Sequence, residues 1–127
     1  MPGKNFYEYA VIRLVPRIER EEFINIGVIL FSKYAKFLKC KFHLDSKKLE
    51  LFCESLDPAD IKNNMEAFEK ICSGAKDGGP IAQWEIADRF RWLTAQRSAS
   101  IQTSRPHNGF SDDLEKTLQQ LFEEQVL

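Results

Sequence analysis

Apolar and polar residues alternate along the first third of the chain in the manner of β-strands. In the segment YEYAVIRL both sets of alternate positions are largely apolar, which predicts a strand covered on both faces. The segment INIGVILFS is an almost unbroken run of β-branched and aromatic residues, typical of a central strand, and its Gly27 predicts a bulge or a close backbone approach. The segment FLKCKFHLD alternates cleanly, which predicts one buried and one solvated face.

After residue 45 the apolar residues recur every three or four positions, which is the period of a helix. Ser46 is expected to cap a short helix, and Asp57 followed by Pro58 marks the start of a second helix that Gly74 ends. A third helix is predicted from about residue 83 to residue 94. The inner face of the second helix is predicted to carry Ile61, Met65, Phe68 and Cys72.

The last third of the chain adds one strand and one helix. SASIQTS has a single large aliphatic residue and is predicted to be an edge strand, and RPHNG is predicted to be a turn. Ser111, followed by two acidic residues, is expected to cap the final helix. The apolar stripe of that helix is predicted to be Leu114, Leu118, Leu121, Phe122 and Val126.

The order of these elements is β-β-β-α-α-α-β-α, which predicts an α+β fold. We expect a small antiparallel sheet of about four strands, with helices packed mainly on one face. A length of 127 residues fits one domain covering residues 1–127, with an ordinary hydrophobic core.

Composition removes several classes of protein. With 43% hydrophobic and 29% charged residues the chain is neither disordered nor a membrane protein, and its net charge of −1 does not indicate a globally basic nucleic-acid binder. It has no apolar signal region, and a cytoplasmic location is expected. The three cysteines, Cys40, Cys53 and Cys72, fall on apolar faces without C-x-x-C spacing and are expected to be buried thiols.

The arginines are clustered. Between Arg20 and Arg89 every basic residue other than His43 is lysine, while all seven arginines lie in two groups: Arg13, Arg17 and Arg20, and then Arg89, Arg91, Arg97 and Arg105. A guanidinium group binds a carboxylate or a phosphate at two points, so clustered arginines favour anion binding. If the last strand pairs beside the first, the two arginine clusters would meet and form one anion-binding face. The alternative is an internal network of salt bridges with Glu19, Glu21, Glu22 and Asp88.

Catalytic and metal-binding motifs are absent from the sequence. His43 and His107 have no ligand spacing, no phosphate-binding glycine loop is present, and neither a metal nor a cofactor is expected. Nucleic-acid binding is an alternative function, because Phe90 and Trp92 stand among arginines, although the acidic last helix opposes it. A hydrolase, with Ser98, Ser100 or Ser104 near His107, is a second and weaker alternative, and an enzyme acting through His107 with Glu19 or Glu22 would require these side chains to share one cleft.

The chain resembles the bacterial domain-of-unknown-function family 3037 along nearly its whole length. Two segments carry the resemblance: YEYAVIRLVPRIEREEFINIGVILF and RFRWLTAQRSASIQTSRPHNG. The matching positions of the first segment are Tyr7, Tyr9, Arg13, Pro16, Glu19, Arg20, Glu22, Asn25 and Gly27. Those of the second are Arg89, Phe90, Trp92, Leu93, Arg97, Ser98, Gln102, His107 and Gly109, with Gln96 where the family has Pro. The resemblance carries no established activity. It implies an accessory or regulatory partner of HipA-like kinases rather than an enzyme.

The sequence thus favours a small binding module that takes a protein partner, with no membrane association expected. The predicted binding residues are Arg13, Arg17, Arg20, Glu22, Asn25, Arg89, Arg97, Gln102, Arg105 and His107.

Overall fold

A five-stranded antiparallel sheet forms the centre of the protein. The computed structural model describes residues 4–16, 22–52, 57–95 and 100–127. The strands are β1 (Asn5–Leu14), β2 (Ile24–Ser32), β3 (Phe37–Phe42), β4 (Ile101–Thr103) and β5 (His107–Ser111). The helices are α1 (Ser46–Phe52), α2 (Pro58–Ser73), α3 (Ile86–Thr94) and α4 (Leu114–Gln125), with a 3-10 turn at Ile81–Gln83. The α+β class and the order of elements are confirmed.

The last strands of the chain pair beside the first one. The order across the sheet is β3-β2-β1-β4, and β5 pairs with the same edge of β1 as β4. Thr103 lies opposite Ile12 and His107 lies opposite Tyr9, so β4 and β5 are two pieces of one interrupted outer strand. The hypothesis that the two arginine groups form one face required the last strand to pair beside the first, and this pairing is present.

Helices cover both faces of the sheet, and most of them lie on one. The first face buries Ala10, Ile12 and Leu14 of β1 against α2 and α3, and Leu49 of α1 packs at the margin of the same cluster. The second face packs Val28 and Leu30 of β2 against the predicted stripe of α4, which is Leu114, Leu118, Leu121 and Val126, with Phe122 half-buried. This explains why both sets of alternate positions in β1 are apolar: the strand is buried on its two sides.

A bulge in β2 sets which residues meet at the end of the sheet. Gly27 pairs with Ile12 but Asn25 pairs with Arg13, so Ile26 is the extra residue on β2. A Cβ atom at Gly27 would lie 2.5 Å from the carbonyl oxygen of Lys41 on β3. The sequence-based prediction for Gly27 is thus confirmed on both counts, and the bulge places Asn25 directly beside Arg13.

The ends of α2 follow the sequence signals. The Asp57 carboxylate accepts a hydrogen bond of 2.9 Å from the backbone N–H of Ala59, and Pro58 stands in the first turn. Gly74 ends the helix with a φ of 71°, a left-handed conformation that glycine adopts without a steric penalty. Of the predicted inner face, Ile61, Phe68 and Cys72 are buried and Met65 is half-buried.

Three local predictions are corrected. The segment predicted as a turn continues into β5, because Asn108 and Gly109 pair with Glu8 and Tyr7 of β1. The caps of α1 and α4 are Asp45 and Asp113 rather than Ser46 and Ser111, since a carboxylate one or two residues away takes the first backbone N–H groups. The third helix begins at Ile86, and the 3-10 turn before it leaves Trp84 47% exposed.

None of the helices among the described residues combines the length and the apolar character needed to cross a membrane.

Candidate functional site

Arg13 lies on the central strand of the sheet and has a polar partner on each side. Its neighbour on β2 is Asn25, and its neighbour on β4 is Gln102. Residues directly opposite each other in an antiparallel pair carry their side chains on the same face of the sheet. Asn25 donates from Nδ2 to the carbonyl oxygen of Gln125 at the end of α4, 2.9 Å away, which identifies this as the face that α4 covers. We refer to Arg13, Asn25 and Gln102 as the polar row.

The polar row contains hydrogen-bonding capacity that the described part of the chain leaves unused. The guanidinium carbon of Arg13 lies 4.1 Å from the centre of the Phe23 ring, a cation–π contact. The Nε of Arg13 and the Oδ1 of Asn25 are buried, and neither has a hydrogen-bond partner among the described residues. A buried polar atom without a hydrogen-bond partner destabilises the protein by about 1–3 kcal/mol. A bound group that supplied the missing partners would recover part of this free energy.

Three of the predicted arginines belong to segments that the structure does not describe. Arg17, Arg20 and Arg97 lie outside the described residues, as do Glu19 and Glu21. The described residues that border these segments are bonded to each other: Val15 donates from its backbone nitrogen to the carbonyl oxygen of Ser100 over 2.7 Å. Glu22, at the other border of the first segment, is exposed.

A cleft borders Asn25, the β2 member of the polar row. It has a volume of about 250 Å³ and lies where β2, the start of α1 and the end of α4 meet. Its polar lining is Asn25, His43, Asp45 and Lys48. The Asp45 carboxylate is already engaged as the cap of α1, since its Oδ1 accepts a hydrogen bond of 2.9 Å from the backbone N–H of Lys47.

Two of the clustered arginines serve other purposes. Arg89 is buried inside the molecule, where its Nη1 donates to the carbonyl oxygens of Ile71 (3.2 Å) and Cys72 (3.3 Å) at the end of α2. Arg91 is exposed and pairs with Asp88 one helical turn earlier, at 3.1 Å. Arg89 was predicted as a binding residue, and the structure instead places its guanidinium at the carbonyl end of a helix, away from the polar row.

Arg105 and His107 lie farther along the same edge of β1. Ser104, between β4 and β5, is buried, and its Oγ accepts a hydrogen bond of 2.9 Å from the backbone N–H of Val11. Arg105 follows it and is exposed, with no ion pair recorded to the described residues. The His107 ring lies 5.3 Å from that of Tyr9, its cross-strand partner, at an angle of 33°.

Tyr7 continues this line of aromatic side chains. A Cβ atom on its cross-strand partner Gly109 would lie 2.7 Å from the Tyr7 hydroxyl, so only glycine leaves room for the ring to lie across β5. Burial, then the neighbouring Tyr9 and Glu124, raise the pKa of Tyr7 above its usual value of 10.0.

His107 and Glu22 lie too far apart along the sheet to act together in catalysis, and Glu19 lies outside the described residues. Ile24, two positions after Glu22, lies opposite Leu14, whereas His107 lies opposite Tyr9. Five residues of strand separate these two positions, which corresponds to roughly 17 Å. Within the described ranges no group of three or more His, Cys, Asp or Glu side chains is placed to hold a metal ion.

The residues of the basic and aromatic stretch RFRW differ in their exposure, so they do not form one surface. Phe90 is 2% exposed and stacks on Phe31 with 4.9 Å between the ring centres, so it belongs to the core and is closed to a nucleobase. Trp92 is half-buried at the margin of the same cluster.

Sequence reasoning found Arg13, Asn25 and Gln102 separately and missed Phe23, the aromatic platform beneath Arg13. The signal was present, because Phe23 comes two positions before Asn25 and so follows the same alternation. What could not be known was the bulge, which decides the residue of β2 that Arg13 faces.

Comparison with known proteins identifies the family and nothing more. No curated protein and no solved structure matches the chain. The family described as "Protein of unknown function (DUF3037)" matches residues 9–126, which include the whole polar row and the Tyr9–His107 pair. The predicted resemblance is confirmed over nearly the full length, and the chain belongs to the DUF3037 family.

Proposed function

We propose that this domain is a binding module that takes an anionic group of a protein partner at the polar row. The observation that carries the proposal is the pair of buried, unpartnered atoms, Arg13 Nε and Asn25 Oδ1, on adjacent strands. One is a donor and the other an acceptor. A carboxylate or a phosphate monoester accepts from the guanidinium, and a backbone N–H or hydroxyl beside it can donate to the amide oxygen.

Charge and aromatic contact support the same assignment. The Phe23 ring holds the Arg13 side chain in one place, which lowers the entropy lost when the guanidinium binds a partner. Arg105, which is exposed, lies between β4 and β5 on the outer edge of β1. Among the described residues, the positive charge of the proposed face therefore comes from Arg13 and Arg105.

The family resemblance suggests the class of partner. A HipA-like kinase is a protein that carries or binds phosphate groups, and an accessory domain with an arginine-centred face would be suited to such a surface. We therefore propose a kinase-like protein as the first partner to test. Nucleic acid remains the alternative partner for an arginine-rich face, and the tests below separate the two.

The binding test compares two arginines with different surroundings. Isothermal titration of the full chain against a purified HipA-like kinase should give a complex that Arg13→Gln weakens by roughly 30-fold or more, as when one partner of a buried charged contact is removed. Arg91→Gln is the matched control, because Arg91 is exposed and already paired with Asp88. Thermal unfolding of both variants establishes that each is folded.

Three outcomes are decisive. A complex that Arg13→Gln and Arg91→Gln weaken equally would place the contact elsewhere and overturn the proposal. No complex with the kinase and no thermal shift with inorganic phosphate would also overturn it. A salt-dependent mobility shift with duplex or single-stranded DNA, lost in Arg13→Gln, would replace the protein partner by nucleic acid.

A further inference from the structure

Two cysteines from distant parts of the chain lie side by side where β3 meets α2. Cys40 is half-buried on β3, and Cys72 is 3% exposed near the end of α2. They line one open cleft of about 440 Å³, together with Glu66, Glu69 and Lys70. Both are free thiols in this structure.

The side chains of Cys40 and Cys72 border the same cleft, between β3 and α2. Hydrogen bonding to the Cys72 thiol is the largest cause of a raised pKa for Cys40, followed by burial. The pair also belongs to one packed cluster, in which Cys40 lies against the buried residues that include Cys72. Neither cysteine belongs to the polar row.

We propose that Cys40 and Cys72 form a thiol modification site, in which a hydroperoxide converts the pair into a disulfide that ties β3 to α2. The proposal stands apart from the binding function, since it uses different residues on the other face of the sheet.

The order of the reaction follows from the exposure of the two thiols. Cys40 is the more accessible and reacts first: its thiolate attacks one oxygen of the hydroperoxide, the O–O bond breaks, and an alcohol or water leaves. This forms the sulfenic acid of Cys40. The Cys72 sulfur then attacks the Cys40 sulfur, the S–O bond breaks, water leaves and the S–S bond forms. Two thiols and one hydroperoxide thus give one disulfide, one alcohol (water when the oxidant is hydrogen peroxide) and one water.

The surroundings of the pair predict how its rate depends on pH. Because the pKa of Cys40 is raised, only a small fraction is thiolate near neutral pH. The rate of oxidation should therefore rise steadily as the pH is increased from neutral, without levelling at the usual pKa of a free thiol.

The cross-link would act on the fold at an identifiable place. Cys72 is one of the two residues whose carbonyl oxygens accept from Arg89, so the bond would fix the end of α2 that Arg89 already holds. A covalent link between residues 40 and 72 also closes a loop of moderate length, which restricts the unfolded chain. The melting temperature should rise on oxidation and return to its starting value after reduction with dithiothreitol.

The test uses the full chain with Cys53→Ser, which removes the third thiol and leaves the pair intact. Treatment with hydrogen peroxide, followed by alkylation and intact-mass analysis, should show the loss of two hydrogens and no alkylated cysteine. Peptide mapping should join the peptides of Cys40 and Cys72. Cys72→Ser in the same background should stop at an oxidised or alkylated Cys40, without a cross-link.

The remaining outcomes overturn the proposal. These are a disulfide between two chains, conversion of Cys40 to sulfinic acid while Cys72 stays reduced, and complete alkylation of both thiols after prolonged oxidation. In the wild-type chain, a disulfide that involves Cys53 would also overturn it.

Discussion

Arg89 provides the sharpest test of how this fold uses its arginines. It is 9% exposed, and its Nη1 donates to two carbonyl oxygens at the end of α2, at 3.2 and 3.3 Å. A cation placed there donates to carbonyl groups at the end of the helix, of which that of Ile71 also accepts from the backbone N–H of Gly74, and it interacts favourably with the helix dipole. Replacement by methionine keeps most of the apolar stem and removes only these polar contacts.

The magnitude follows from the contacts. Hydrogen bonds to a charged group contribute about 1.5–3 kcal/mol, and the helix dipole adds about 0.5 kcal/mol. Both bonds come from one nitrogen and are long, and the buried Nε of Arg89 lacks a partner among the described residues, so values at the lower end apply. We expect Arg89→Met to lower the free energy of unfolding by about 2–3 kcal/mol and the melting temperature by roughly 10 °C.

The assay is urea denaturation followed by circular dichroism, with Arg91→Met as the control. Arg91 forms an exposed ion pair with Asp88, and its loss should cost less than about 1 kcal/mol. If Arg89→Met is no more destabilising than Arg91→Met, the contacts with α2 do not hold the fold together. Arg89 would then return to the set of residues available for a ligand.

Three further predictions concern β1 and its partners. Ser104→Ala should lower the free energy of unfolding by about 1–3 kcal/mol in urea denaturation, because the buried N–H of Val11 loses its acceptor, while Ser73→Ala at an exposed site should have little effect. Gly109→Ala should lower the melting temperature, since the added Cβ would lie 2.7 Å from the hydroxyl oxygen and 2.8 Å from the Cζ atom of Tyr7; adding Gly109→Ala to Tyr7→Leu, which lacks the ring, should cost less, and an equal loss in both backgrounds would contradict the clash. Above pH 10 the unfolded chain gives up the Tyr7 proton more readily than the folded chain, so the free energy of unfolding should fall as pH rises through this range. Urea denaturation at several pH values should show a less steep fall for Tyr7→Phe.

The regular parts of the fold could be predicted because local signals and the core agree there. The cap and the end of α2 are set by Asp57, Pro58 and Gly74, whose backbone preferences leave few alternatives. The β5 strand could not be found in this way. Its sequence HNGFS has one large apolar residue, Phe110, which is 67% exposed, so the strand exists because of its hydrogen bonds to β1.

The candidate site shows where sequence reasoning stops. Clustering of arginine drew attention to Arg13, and the family motif drew attention to Asn25 and Gln102, but their position side by side depends on a bulge that sequence patterns do not encode. Arg89 was grouped with them because its burial could not be recognised from the sequence. Burial is unusual for arginine, and here it results from tertiary packing against the end of α2. The sequence therefore indicated a group of candidate residues, and only the register of the strands shows which of them lie side by side.

The pairing of β1 with β5 has a consequence for how the protein acquires its fold. Tyr9 and His107 are direct partners although 98 positions separate them, and β1 can form its outer edge only with strands from the last third of the chain. During synthesis the first strand leaves the ribosome long before those partners, with both of its apolar faces and one edge unprotected. Closing so long a loop is entropically costly, so folding should be slow for the size of the protein, in the range of about milliseconds to seconds that non-local β pairing gives. The nascent β1 therefore stays without its outer partners until the last third of the chain has been made.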